Sequence, residues 1–184
     1  MLIGAPVFWI LDKVLLSPKL TQGQRIELLK KRKATFLKIL SYLLQLFPFV
    51  FLVHLLARKL MSLGLPSSSI LLAIGCLLFG NTASFFMSTY YGHGMTAVCI
   101  LALVYSVLTN SPLASGFFLG LSVLCDYSSA LFILPLFLFF IKQPTSFLRV
   151  ILGGLLPASL WCWYHTACFG SPLHIANEFQ NPLF

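Results

Sequence analysis

Charge is what this sequence has least of. Only 9% of its 184 residues are Asp, Glu, Lys or Arg, where a soluble domain carries about 25%. A chain so poor in charge cannot cover a water-facing surface, which excludes an ordinary soluble domain. Acids are scarcest: 4 stand against 12 Lys and Arg, for a net charge of +8. That balance does not argue for nucleic acid, because basic residues gathered at membrane edges are its ordinary origin in an apolar chain. Paired cysteine spacing is also missing. Cys76, Cys99, Cys125, Cys162 and Cys168 lie in or beside apolar runs without a CxxC, which reads as buried free thiols rather than a disulfide or metal framework. His165, His174 and Glu178 have no ligand spacing, so no metal is expected, and no cofactor is expected either. No basic stretch precedes the first apolar run, and Asp12 interrupts that run, so a signal peptide is not expected.

What is present is apolar. Hydrophobic residues make up 59% of the chain, 18 of the residues are Phe, and mean hydropathy is +0.94. The expected fold is all-α: a multi-pass transmembrane bundle of about six spans with an N-terminal interfacial helix. Residues 1–33 form the interfacial region, apolar with Phe8 and Trp9 as anchors, then basic from Arg25 to Lys33. Residues 34–165 form the bundle and 166–184 an extracytoplasmic tail. The spans expected are Phe36 to Ala57, kinked by Pro48, then Ile70 to Met87, Met95 to Leu108 and Phe147 to Tyr164. Trp161 and Trp163 at the far end of the last are belt residues.

Between these spans lie two runs, Leu113 to Cys125 and Ala130 to Ile141, of 13 and 12 residues. Each reaches only about 20 Å at 1.5 Å per residue, short of a bilayer core of roughly 30 Å. They form either one bent helix or a tight hairpin around Asp126. The hairpin is favoured because Gly116 and Gly120 permit close helix packing beside it.

Two polar breaks interrupt the apolar sequence, Met87 to Gly94 and Cys125 to Ser129. Counting crossings puts both on one face, together with His165, while Arg58, Lys59, Lys142 and Arg149 fall on the other. The candidate binding residues are therefore His93, Asp126, Tyr90, Tyr91 and Tyr127. An acid at such depth is costly and usually functional, although Ser128 or Ser129 can also cap Asp126 without any chemistry.

Ala5-Pro6-Val7-Phe8-Trp9, His54-Leu-Leu-Ala-Arg-Lys-Leu60, Tyr91-Gly-His93, the run Gly116 to Tyr127 and Phe169-Gly-Ser-Pro-Leu173 follow one another in this order. In this order of motifs the chain resembles the multi-spanning GT-C glycosyltransferases, in particular bacterial relatives of dolichyl-phosphate-mannose protein mannosyltransferases. The resemblance implies an enzyme of the cell membrane, in bacteria the inner membrane, that takes a sugar from a polyprenyl-phosphate carrier on the extracytoplasmic side. It implies membrane lipids and that carrier as partners. Family members have a first span and an acidic external loop ahead of the segment matched by Ala5 to Trp9, and Asp12 does not stand in for that acid. The resemblance thus implies a fragment whose further partner is the missing portion of a split enzyme, with the catalytic acid unassigned here. A plain count of positive charges would turn the two breaks toward the cytoplasm. The resemblance places them outside, with the basic segment against carrier or lipid phosphates. The competing reading is a non-enzymatic membrane subunit or transporter fragment in which His93 and Asp126 form a polar relay.

Overall fold

The computed structural model describes Thr35, residues 37–79 and residues 92–172. Turns aside, the described residues are helical, with no strand, and form six helices. We number them α1 (Leu37–Ser62), α2 (Ser67–Phe79), α3 (Gly92–Leu108), α4 (Pro112–Cys125), α5 (Ile133–Phe140) and α6 (Pro144–Phe169). A 3-10 segment, Tyr127–Phe132, joins α4 to α5. By length and composition α1 and α6, each of 26 residues, are apolar enough to cross a membrane. The N-terminal interfacial region, residues 80–91 with Tyr90 and Tyr91, and the tail beyond Pro172 lie outside the described residues.

Turn chemistry divides the chain. Gly64 takes φ 83°, and the Leu65 amide donates to the Leu60 carbonyl at 3.3 Å, so a left-handed residue closes α1. Asn110 does the same after α3 with φ 54°, the Ser111 amide reaching the Ser106 carbonyl at 2.8 Å. Asn tolerates this conformation better than other non-glycine residues. Pro112 and Pro144 then open α4 and α6, where a missing N–H costs nothing.

Pro48 stands just after a local break in the α-helical pattern. The turn before it, Tyr42–Leu46, is π-helical, and the Phe47 amide donates to the Tyr42 carbonyl. Widening the turn is one way a helix absorbs a proline that lacks its own N–H. The extra residue also keeps Ser41, Gln45, Phe49 and Val53 all on the buried side of α1, although a straight α-helix would rotate such a spacing away by about 40° at each step.

Glycines set the register of α4 on α6. Gly116 lies against the Val150 carbonyl, Gly153 against the Leu113 carbonyl, and Gly120 faces Pro157 and Gly154. From Gly116 beside Val150, through Gly120 beside Pro157, to Tyr127 beside Trp161, the partners rise in number together, so α4 and α6 run parallel. The intervening chain, the 3-10 segment plus α5, must therefore return the full length of α4. Its 6 and 8 residues span about 24 Å against about 21 Å for α4. The return hairpin is present, but the close packing of Gly116 and Gly120 is made with α6, not with the returning limb. Helix α6 also runs past Tyr164 to Phe169, where Gly170 at φ 75° ends it.

Two apolar clusters hold the helices. Phe49 and Val53 of α1 meet Val98 and Leu101 of α3, with Ile74, Leu77 and Leu78 of α2 packed alongside. Leu103, Leu119, Leu136 and Phe140 join α3, α4 and α5, and Phe147 and Val150 of α6 pack against them.

Candidate functional site

The register of these helices brings the two polar breaks together. His93 stands in the first turn of α3, not in a turn between spans, and Asp126 follows the last residue of α4. Asp126 is extended, with φ −155° and ψ 120°, and this single residue carries the change of direction between α4 and the 3-10 segment. Its Oδ1 accepts from the Ser128 amide at 3.0 Å and from the Ser128 hydroxyl at 2.9 Å. The Ser129 hydroxyl donates to the Asp126 carbonyl at 2.8 Å. The capping that the sequence allows is thus real, but it uses one carboxylate oxygen only.

The other oxygen faces α3. His93 Nδ1 lies 2.7 Å from Asp126 Oδ2, the side chains being 60% and 21% exposed. An ionised carboxylate only accepts, so Nδ1 carries the proton and donates. In the neutral ring the lone pair then resides on Nε2, and both ring nitrogens donate only when the imidazole is protonated. The pair borders an apolar cavity of about 280 Å³ lined by Phe49, Leu77, Thr96, Ile100, Leu101 and Phe132, among others. A His–carboxylate pair at the edge of an open apolar groove can hold a polar group whose attached body is hydrophobic.

Burial pushes the Asp126 carboxyl up, but the Ser128 amide, the Ser128 hydroxyl and His93 outweigh it and hold the carboxyl below its usual 3.8. A depressed folded value means that the ionised carboxylate stabilises the joint at all pH values above about 3.8. That contribution is lost as pH falls through the folded value. Thermal melts of the purified chain in detergent are expected to show Tm insensitive to this group above pH 4 and declining below it, with a shallower decline in Asp126→Asn. Equal acid slopes in both proteins would contradict this linkage.

Tyr127, the remaining described candidate, packs edge-to-face on Trp161 of α6 with ring centroids 4.9 Å apart. Trp161 in turn stacks on buried His165 at 4.3 Å and 8°, and its Nε1–H donates to the Pro172 carbonyl at 3.2 Å. His165 therefore does share the end of the bundle that holds His93 and Asp126, as the crossing count requires. Lys142, at the opposite end of α5, is separated from Asp126 by roughly the length of α4, about 20 Å. Sequence reasoning treated Trp161 as an interface anchor and missed its contact with Tyr127. The one available signal was the four-residue spacing of Trp161 and His165, which stacks two rings on one helix face. The buried Ser41–Gln45 pair, Ser41 Oγ to Gln45 Oε1 at 3.4 Å, was missed as well, although two polar residues at i and i+4 in an apolar run are such a signal.

Among the described residues no group of three or more His, Cys, Asp or Glu is placed to hold a metal ion. No family model, no curated protein and no solved structure matches this chain.

Proposed function

We propose that the chain is a multi-pass membrane helix bundle forming part of a glycosyltransferase of GT-C type, one that takes a sugar from a polyprenyl-phosphate carrier at the extracytoplasmic face. The single observation that carries the reading is the 2.7 Å His93–Asp126 bond at the edge of an apolar cavity. The membrane setting is supported by outward-facing apolar side chains: Leu71, Leu72 and Leu131 are each at least 70% exposed and Phe79 is 87% exposed. In water such a surface would drive aggregation. The resemblance of its motifs to GT-C enzymes supplies the reaction class.

In this reading the pair works on the acceptor. Asp126 fixes the imidazole in the Nδ1–H tautomer, and Nε2 takes the proton of an acceptor hydroxyl as that oxygen bonds to the anomeric carbon. The bond from that carbon to the carrier phosphate breaks, and the polyprenyl phosphate leaves with the electron pair. Asp126 then stabilises the imidazolium. With Nδ1 committed to Asp126, the neutral ring has no second N–H for a phosphate, and the carboxylate repels one. The arrangement therefore suits proton acceptance better than phosphate binding. Tyr127 beside Asp126 adds a ring and a hydroxyl at the boundary between apolar tail and polar head.

The test uses proteoliposomes holding the assembled enzyme and a radiolabelled polyprenyl-phosphate sugar. His93→Ala and Asp126→Asn are each expected to lower transfer at least tenfold, about 1.4 kcal/mol, with membrane insertion unchanged. Transfer at the parental rate by both variants would remove the pair from the chemistry.

A further inference from the structure

Beyond its place at the end of α4, where its amide donates to the Ser122 carbonyl at 2.9 Å, two features fix Asp126, and only one belongs to its own element. Within the joint, the Ser128 amide and hydroxyl hold Oδ1. They do not determine where the joint stands relative to α3, because they move with it. The second restraint comes from α6. Tyr127 is the next residue after Asp126 and opens the 3-10 segment. Its ring meets Trp161 edge-to-face at 4.9 Å. Trp161 itself is held from two further directions, by the stack on His165 at 4.3 Å and by its donation to the Pro172 carbonyl at 3.2 Å. His165 packs against Tyr164 and Phe169 at 5.6 and 5.4 Å. The end of α6 is thus a braced aromatic block, and Tyr127 is the part of the joint that touches it.

The helix register delivers this block at the right height. Gly116 sits beside Val150. From that level Asp126 is ten residues along α4 and Trp161 eleven along α6, so both stand about 15–17 Å further on. Any slip of one turn between the helices would put Trp161 about 5 Å from the level of Tyr127. Asp126 has extended dihedrals between two helical segments, so its carboxylate direction follows the peptide that leads into Tyr127.

We propose that Trp161 is a positioning residue for the His93–Asp126 pair, acting through Tyr127 and held in place by its stack on His165. The assignment concerns the pair named above as the working group, and it extends that reading from the two partners to the element that aims them. Trp161 touches neither the reacting hydroxyl nor the carrier in this scheme. Together with the packing of α4 on α3, it sets whether Oδ2 meets Nδ1, and hence which nitrogen of His93 carries the proton.

The tautomer is therefore the quantity to measure, since lowered stability alone would not move it in molecules that remain folded. The full chain, labelled with 15N-histidine, is placed in lipid nanodiscs. The 15N shifts of the imidazole nitrogens are read at a pH where the ring is neutral, with His93→Gln assigning the signal by subtraction. The parental protein is expected to hold His93 in the Nδ1–H form. Trp161→Phe keeps an aromatic edge for Tyr127 and is expected to retain that form. Trp161→Ala should shift the balance toward Nε2–H, the form an imidazole prefers without an acceptor fixed at Nδ1, by at least fivefold. Should Trp161→Ala fail to fold, Tyr127→Leu removes the same contact from the other side and leaves α6 intact. Retention of the Nδ1–H form in whichever of these two variants folds, its helicity unchanged, overturns the proposal. The experiment separates this inference from the transferase reading. A shifted tautomer with sugar transfer unaffected would uphold the positioning role and sink the transferase reading. Lost transfer with an unshifted tautomer would sink the positioning role.

Discussion

Gly116→Ala and Gly153→Ala are each expected to destabilise the bundle by at least about 2 kcal/mol. A methyl group at Gly116 would fall on the Val150 carbonyl, and one at Gly153 on the Leu113 carbonyl. In both cases the obstacle is backbone, which cannot rotate away as a flexible side chain does. The α4 and α6 axes must separate, and every contact between them loosens. Alanine also favours helix over glycine by about 1 kcal/mol, so two effects of opposite sign compete at these positions. Overpacking costs of about 1–3 kcal/mol, at the upper end for a rigid obstacle, decide the sign here. Gly75 in α2 is the internal control, since nothing lies within 4 Å of a methyl group there. Gly75→Ala keeps only the propensity term and is expected to be neutral or stabilising by up to about 1 kcal/mol. Reversible unfolding in mixed micelles measures all three. A Gly116→Ala protein as stable as the parent would mean that the two helices do not approach this closely.

Phe140→Ala is expected to cost about 2 kcal/mol or more, against less than about 0.5 kcal/mol for Phe139→Ala beside it. Phe140 is 0% exposed and sits among Leu103, Leu119 and Leu136, whereas Phe139 is 56% exposed. In water, truncating a buried Phe costs about 3–5 kcal/mol, part of it the transfer of the ring out of solvent. In a bilayer the unpacked chain leaves that ring in hydrocarbon, so the transfer part falls away and the cavity part remains. At about 24 cal/mol per Å³, a cavity on the order of 100 Å³ gives about 2 kcal/mol. The same unfolding experiment reads both variants. Equal costs at positions 139 and 140 would show that α5 does not present Phe140 to α3 and α4.

Much of the helix layout is legible in the sequence because it follows from local rules. The turns at Gly64, Asn110 and Gly170 require left-handed residues, and Gly or Asn stands at each. Pro112 and Pro144 open helices for an equally local reason. The two short runs around Asp126 also show at once, since run length is a property of the sequence. Pro48 was legible as a disturbance but not as a π-helical turn, because whether the turn before a proline widens depends on what the two sides of the helix pack against.

The candidate site divides along the same line. That His93 and Asp126 share an end of the bundle follows from counting crossings, and residue type alone marks both as chemically active. Their 2.7 Å bond does not follow, because 33 residues separate them and crossing counts have a resolution of a whole face. Likewise Gly116 and Gly120 announce a close helix contact, yet nothing local says that α6 supplies the partner. What the sequence by itself determined, among the described residues, is therefore the succession of helices, the turns between them and the end of the bundle that His93 and Asp126 share, all read from patterns local to each segment. Only the tertiary structure decided that α4 and α6 lie parallel in a register fixed by glycine against carbonyl, and that Trp161 reaches Tyr127. It also decided that one Asp126 oxygen turns toward His93 while the other caps its own joint. Those outcomes depend on which surfaces fit at close approach between segments far apart in the chain, and periodicity and local propensity carry no record of that fit.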